Sequence, residues 1–239
     1  MDSRAIFDEW PERYDQWFTT PIGKLVKEIE GELIRDLLDP MQGESILDAG
    51  CGTGIFTLDF LVAKGNVVGP DISGPMLNFS RFKTTDYDFV AVQADMEHLP
   101  FKDNYFEKSV SVTAPEFIAN AKSAVSELFR VTRPGGRVVV ATLNSLSPWV
   151  VRRKAKTESG KSHILRGAFF RSPSELLACS PYIGEVKAAI HFQKDGEPGK
   201  AMKIEQLGRL QGIGTGAFVA VRWQKPILAY STGKNVENK

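Results

Sequence analysis

The sequence predicts an α/β fold, a parallel sheet with helices on both faces. Three observations carry that expectation. Short apolar segments alternate with amphipathic stretches between residues 22 and 143. The run Arg137 to Leu143 is almost continuously apolar, as a strand buried on both faces requires. A glycine loop separates the first strand from the helix that follows it. Strands and helices alternating at this spacing form βαβ units, whose right-handed crossovers put helices on both sides of the sheet.

The elements follow in order. Phe7, Trp10, Tyr14, Trp17 and Phe18 are set among acids in the first 18 residues. Pro11 marks a helix start there, since a first-turn N–H has no partner to lose. Ile22, Leu25, Val26, Ile29, Leu33, Ile34, Leu37 and Leu38 form a helical stripe. Asp39-Pro40 ends it, because the residue before proline is pushed out of helical geometry. Ser45 to Ala49 is a short buried strand, and Ile55, Leu58, Leu61 and Val62 give the next helix. Val67-Val68-Gly69 is a second strand ending at Asp71, Pro75 to Phe82 a helix, and Phe89 to Val92 a third strand ending before Asp95. Lys108 to Val112 is the fourth strand. Ile118, Ala121, Val125, Leu128 and Phe129 lie at helical spacing, and Arg133-Pro134-Gly135-Gly136 reads as a turn before the fifth strand.

After Leu143 the rhythm breaks. Residues 144–171 are polar and basic and read as an insertion. Ser172-Pro173-Ser174-Glu175 is a capped helix start. Val186 to Phe192 and Ala217 to Trp223 are the last strands. The long connection between them holds Gly212, Gly214 and Gly216. It reads as a mobile loop or turn, not a phosphate site, because no helix pattern follows it. The expected organisation is a helical extension over 1–43, a main domain over 44–230 that includes the 144–171 insertion, and a polar tail over 231–239.

The 239 residues are 42% hydrophobic and 25% charged, which fits one α/β domain with extensions. The formal net charge of +1 offers no electrostatic case for nucleic acid or a membrane. Two cysteines, Cys51 and Cys179, cannot build a disulfide framework or a four-cysteine zinc site. No spacing suggests a metal, and a reduced, cytoplasmic setting is expected. No apolar run approaches the roughly 18 residues of a membrane span. The N-terminus has acids where a signal peptide would need an apolar stretch, so none is expected there. Charge is uneven along the chain, however. Residues 1–40 hold ten acids and five bases, a net of −5. Residues 151–171 hold seven bases and Glu158, a net of +6.

The chemistry concentrates in Asp48-Ala49-Gly50-Cys51-Gly52-Thr53-Gly54, between a strand and a helix. Glycine permits the tight turn and lets a ligand approach the backbone, and the following helix presents free N–H groups. Asp71 ends the next strand, placed to accept from ribose hydroxyls, and Asp95 the one after, placed to accept from an exocyclic amine. Ligands of open α/β sheets sit at these carboxyl ends. A dinucleotide loop needs G-x-G-x-x-G, but Ile55 stands at its third glycine, which disfavours a nucleotide-dependent oxidoreductase. The loop suits a nucleoside without pyrophosphate.

These residues resemble class I S-adenosylmethionine-dependent methyltransferases, in particular the ubiquinone/menaquinone-biosynthesis (methyltransferase type 11) subgroup. The match runs over roughly residues 7–143. It is carried by Tyr14-Asp15; Ile46 to Gly54; Asp71-Ile72-Ser73 with Met76-Leu77; Ala94-Asp95-Met96 with Leu99-Pro100-Phe101; and Glu127 to Val131 leading into Arg133-Pro134-Gly135-Gly136-Arg137. The resemblance implies a three-layer Rossmann-like sheet of seven strands, mostly parallel with the last antiparallel, an N-terminal helical lid, and an insertion after strand five.

It also implies S-adenosyl-L-methionine as cofactor. Gly50, Cys51, Gly52 and Gly54 would line its methionine portion, with Asp48 shaping the loop. Asp71 would hold the ribose, with Ile72 and Met76 near adenine. Asp95 and the Met96 backbone would meet the adenine amine. Tyr14 would close over the site, and Thr113 would lie near the sulfonium. Pro70 departs from the family pattern, which has a plain apolar residue before the ribose aspartate, and it bears on the aim of Asp71.

In-line transfer to a small molecule is the expected reaction, with a retained fold that binds without catalysis as the alternative. A base is needed only where the acceptor loses a proton. Glu116, His163 and His191 are the candidates. The basic insertion suggests an anionic substrate held by Arg152, Arg153 or Arg166. It is too short, with only Trp149, Phe169 and Phe170 for stacking, to suggest nucleic acid.

Overall fold

The computed structural model describes residues 7–8, 11–158 and 167–227. Two helices lead in, α1 (Pro11–Thr19) and α2 (Pro21–Leu38). The Thr20 hydroxyl caps α2 by accepting from Gly23 N–H, and Asp39 ends it in a left-handed conformation, φ 52°. The sheet then begins: β1 (Ser45–Asp48), α3 (Thr57–Val62), β2 (Asn66–Asp71), α4 (Gly74–Lys83), β3 (Phe89–Gln93), β4 (Phe106–Val112), a 3₁₀ turn at Pro115–Phe117, α5 (Ala121–Val131) and β5 (Thr132–Leu143). The rest is α6 (Pro148–Glu158), α7 (Pro173–Leu177), β6 (Gly184–Ala189), α8 (Pro198–Leu210) and β7 (Phe218–Gln224).

The seven strands lie in the order β3-β2-β1-β4-β5-β7-β6. The first five pair in parallel, and β7 runs antiparallel to both β5 and β6. One apolar cluster joins α2 and α3 to one face through Val26, Ile34, Phe60, Val110 and Val139. The other joins α5 and α7 to the opposite face through Leu47, Leu128, Val138, Leu176 and Trp223. The three-layer arrangement follows, because each strand alternates its side chains between the two clusters. No helix among the described residues is long and apolar enough to cross a membrane.

Several boundaries differ from the sequence reading. The buried face of α3 is Phe56, Phe60 and Leu61, while Val62 is exposed, because the helix starts two residues after Ile55. Ile118 precedes α5. Arg133 to Gly136 do not form a turn outside the sheet: β5 opposes β4 from Thr132 onward and bulges there, with Phe106 opposite Thr132 and Lys108 opposite Arg137. The insertion opens as a helix. The Ser147 hydroxyl accepts from Val150 N–H, and the buried Trp149 donates its indole N–H to Phe192 O at 2.7 Å. The connection before β7 also contains a helix, α8, which scattered apolar residues concealed. Its glycine loop is pinned, since the buried Asn144 amide donates to Gly214 O and Gly216 O at 2.8 and 2.9 Å. The capped start at Ser172 forms as expected, with Glu175 bonding back to Ser172 N–H.

Candidate active site

The glycine loop is tied to the neighbouring strand. Gly50 and Cys51 N–H groups donate to Pro70 O at 2.7 and 3.3 Å, and Gly52 N–H donates to Asp71 Oδ2 at 2.8 Å. Pro70 lacks only a donor, and its carbonyl is what the loop uses. Asp71 is aimed by two backbone donors, since its Oδ1 accepts from Ser73 N–H at 2.9 Å. Burial nevertheless pushes its carboxyl up.

Gly50, Gly52 and Gly54 have φ of 74°, 54° and 79°. Those values favour glycine, because a Cβ clashes in the left-handed region. A Cβ on Gly50 would strike Ala114, whereas one on Gly52 would meet nothing within 4 Å. The open side of Gly52 is where a ligand can reach the main chain.

Asp48 is buried beneath the loop and accepts from the Thr57 hydroxyl at 2.6 Å. Burial raises its carboxyl to about 7, against the lowering effect of that hydrogen bond. Cys51 is buried, and burial pushes its thiol well up, which makes it a packing residue. Met76 and Met96 are buried, while Ile72 is half-buried and its carbonyl accepts from Gln93 Nε2. Asp95 is half-exposed at the carboxyl end of β3, its Oδ1 accepting from Glu97 N–H. Leu99 to Phe101 are held by one ion pair: Glu127 accepts from Leu99 N–H, and Arg130 donates to Glu127, Leu99 O and Phe101 O. That pair explains why the two sequence segments occur together.

The N-terminal segment crosses these carboxyl ends. Phe7 stacks edge-on against Phe117 with ring centroids 4.5 Å apart. Asp8 accepts from the Ser73 hydroxyl at 2.7 Å, and Asp15 from the Thr53 hydroxyl at 2.7 Å while pairing with Lys83. Tyr14 meets the Thr113 hydroxyl at 3.5 Å, and burial pushes its phenol up. Thr113 sits at φ 56°, a strained value for a β-branched residue.

The base and substrate candidates separate. His191 is remote, its Nδ1 on Glu205 at 3.0 Å and Nε2 on Ile213 O at 2.9 Å, so both ring nitrogens are used. His163 and Arg166 lie outside the described residues. Arg152 is exposed and shares a loose ion pair with Asp195 at 3.5 Å. Arg153 does not point outward as its segment suggested: it is half-buried within the field of Glu116. Arg171 also turns inward, onto the carbonyls of Pro115, Ile118, Ala119 and Phe169. Glu30 is a site feature the sequence reading missed, an acid hidden in the apolar stripe of α2 and pushed up to about 8 by burial and then by Glu116. Among the described residues no group of three or more His, Cys, Asp or Glu is placed to hold a metal ion.

Residues 47–140 match the model of a methyltransferase domain family. The chain is 28% identical to the malonyl-[acyl-carrier protein] O-methyltransferase of Yersinia pestis, across 90% of this chain and 76% of that one. It is 40% identical over 105 residues to the ubiquinone/menaquinone biosynthesis C-methyltransferase of Vibrio cholerae, across 41% of this chain and 40% of that one. A solved SAM-dependent methyltransferase of Thermotoga maritima superposes on 93% of this chain and 99% of its own, with a TM-score of 0.74 and 22% identity, which is a likeness of fold.

Proposed function

We propose that the chain is an S-adenosylmethionine-dependent methyltransferase, as the matched domain and its relatives support, and that it methylates a small molecule at the carboxyl ends of β1, β2 and β4. The observation that carries this is the coupling of the open Gly52 main chain to Asp71 through one hydrogen bond. It sets an open stretch of main chain and a carboxylate side by side, which suits the amino-acid and ribose parts of one ligand. In this reading Gly50, Cys51, Gly52 and Gly54 contact the methionine portion, with Asp48 holding the loop from below. Asp71 takes the ribose hydroxyls on its remaining lone pairs. Ile72 and Met76 pack near adenine, Asp95 and the Met96 backbone meet its amine, and Tyr14 with Thr113 borders the methyl group.

When bound, S-adenosylmethionine supplies a methyl carbon whose bond to sulfur breaks, leaving the electron pair on sulfur, as the acceptor's lone pair forms the new bond. The protein's task is to align the acceptor and keep water out. The N-terminal segment, touching the loops after β1, β2 and β4, serves as the lid. An anionic group on the acceptor has Arg152 to meet at the rim, while Arg153 and Arg171 are engaged within the protein. Titration calorimetry with S-adenosylmethionine and S-adenosylhomocysteine tests the site. Saturable binding that Asp71→Ala weakens is expected, and no binding of either would sink the reading. Transfer of a labelled methyl group into the small-molecule fraction of a cell extract then tests the acceptor class.

A further inference from the structure

Glu116 stands three residues after Thr113, in the turn that follows β4. Its carboxylate Oε1 accepts from Leu143 N–H at 2.6 Å and from the Thr142 hydroxyl at 3.2 Å, the last residues of β5. Among the described residues both of these donors take Oε1, so a proton would add at Oε2. The turn around it is held more firmly than a surface turn requires. The Arg171 guanidinium binds the carbonyls of Pro115 and Ile118 at 2.8 and 2.7 Å and those of Phe169 and Ala119 at 3.0 and 3.3 Å. Phe169 N–H donates to Glu116 O at 2.6 Å. Phe7 of the N-terminal segment packs edge-on against Phe117, the next residue, so the same segment that reaches Thr113 also packs beside Glu116 in the chain. A buried carboxylate with a fixed backbone and a fixed side chain, near enough to Tyr14 to be felt by its phenol, is an arrangement for positioned proton transfer.

Resting on the methyltransferase reading, we infer that Glu116 is the base that takes the proton an acceptor hydroxyl or amine sheds on methylation, with Arg171 as its positioning residue. The proton passes to Oε2 as the acceptor's lone pair bonds to the methyl carbon, and leaves to solvent when the lid opens. The electrostatics agree with the geometry. Burial raises the Glu116 carboxyl to about 7, with Leu143 N–H, Arg153, Thr142 and Arg171 pulling it down. Glu30 and Tyr14 face it as further titrating groups. A carboxylate poised near neutrality is ionised often enough to accept and still basic enough to matter. An ionised Glu116 is felt by Glu30 as a like charge, which adds to the effect of burial in raising the Glu30 carboxyl.

Glu116→Gln keeps the size of the side chain and an oxygen for Leu143 N–H and Thr142. It is expected to bind S-adenosylmethionine like the wild type by calorimetry. With labelled S-adenosylmethionine and a panel of a phenol, an aliphatic amine and a carboxylate, transfer to the first two falls about 10²–10⁴-fold and its acid limb near neutrality disappears. Transfer to the carboxylate, which sheds no proton, falls far less than transfer to the other two. Arg171→Lys keeps the charge but cannot bridge four carbonyls, and it lowers the same two rates and displaces the acid limb. An activity-independent readout is the infrared difference spectrum between wild type and Glu116→Gln from about pH 5 to about pH 9, where a protonated carboxyl band lost near neutrality is expected. The inference is overturned if Glu116 ionises in the ordinary carboxylate range, or if Glu116→Gln transfers to the phenol and amine at the wild-type rate. Failure of the wild type to bind S-adenosylmethionine would overturn the methyltransferase reading instead.

Discussion

Gly50→Ala tests whether the glycine loop is set by one close contact. Gly50 sits at φ 74°, and a Cβ there would lie closer than 3.0 Å to the Ala114 Cβ. Gly43 is the control: its φ is 82°, and an added Cβ meets nothing within 4 Å. Gly43→Ala therefore carries only left-handed strain of about 1–2 kcal/mol. This is offset by roughly 0.4–1 kcal/mol from a less flexible unfolded chain, which leaves about 1 kcal/mol. Gly50→Ala adds an overpacking cost of about 1–3 kcal/mol, for a total of about 2–4 kcal/mol. In a chain of this size that lowers the melting temperature by roughly 5–15 °C.

The double variant Gly50→Ala/Ala114→Gly removes the clashing methyl and restores the overpacking part. A double-mutant cycle from urea melts should then show a coupling of about 1–3 kcal/mol. Gly50→Ala costing no more than Gly43→Ala, or a coupling near zero, would refute the argument that Ala114 dictates glycine at position 50.

Other predictions follow from the buried polar groups. Asp71→Ala strips the acceptor from Gly52 and Ser73 N–H, so calorimetry should show affinity for S-adenosylmethionine weakened about tenfold or more, near the 1.5–3 kcal/mol of a charged hydrogen bond. Glu30, Asp48 and Glu116, raised to about 8, 7 and 7, hold protons in the folded state that the unfolded chain has released above about pH 4. Stability thus falls as pH rises from about 4 to about 8; urea midpoints should be lower at about pH 8.5 than at about pH 6, and a rising midpoint would contradict the burial argument. His191 has the same sign. Its hydrogen bond to Glu205 raises it, so its contribution is complete below about pH 6.5 and lost as pH climbs through the folded value. His191→Asn should flatten that part of the profile.

Much of the fold was legible in the sequence because it depends on local pattern. Apolar runs of strand length, the stripe of α2, the stop at Asp39-Pro40 and the cap at Ser172 are decided within a few residues. The glycine loop and the strand-end position of Asp71 were legible for the same reason: the chemistry of a tight turn restricts which residues can stand there. What stayed hidden depends on neighbours distant in the chain. α8 carries exposed Met202, Leu207 and Leu210, so its periodicity is blurred until the surface it covers is known. The bulge at Arg133 to Gly136 exists only relative to β4.

The base and the charge pattern show the limit most clearly. The sequence offered Glu116, His163 and His191 as equals. Only the tertiary structure buries Glu116 against the end of β5 while occupying both nitrogens of His191. The same holds for the +6 segment, which reads as one basic face until folding turns Arg153 and Arg171 inward and leaves Arg152 outside. Local sequence determined which elements form and where the glycine loop lies, because those follow from backbone sterics and hydrophobic period. Which charges are desolvated, and against what, was decided by the packing of segments more than 25 residues apart, such as Glu116 on Thr142. A charge has no fixed meaning until its surroundings set its dielectric and its partners.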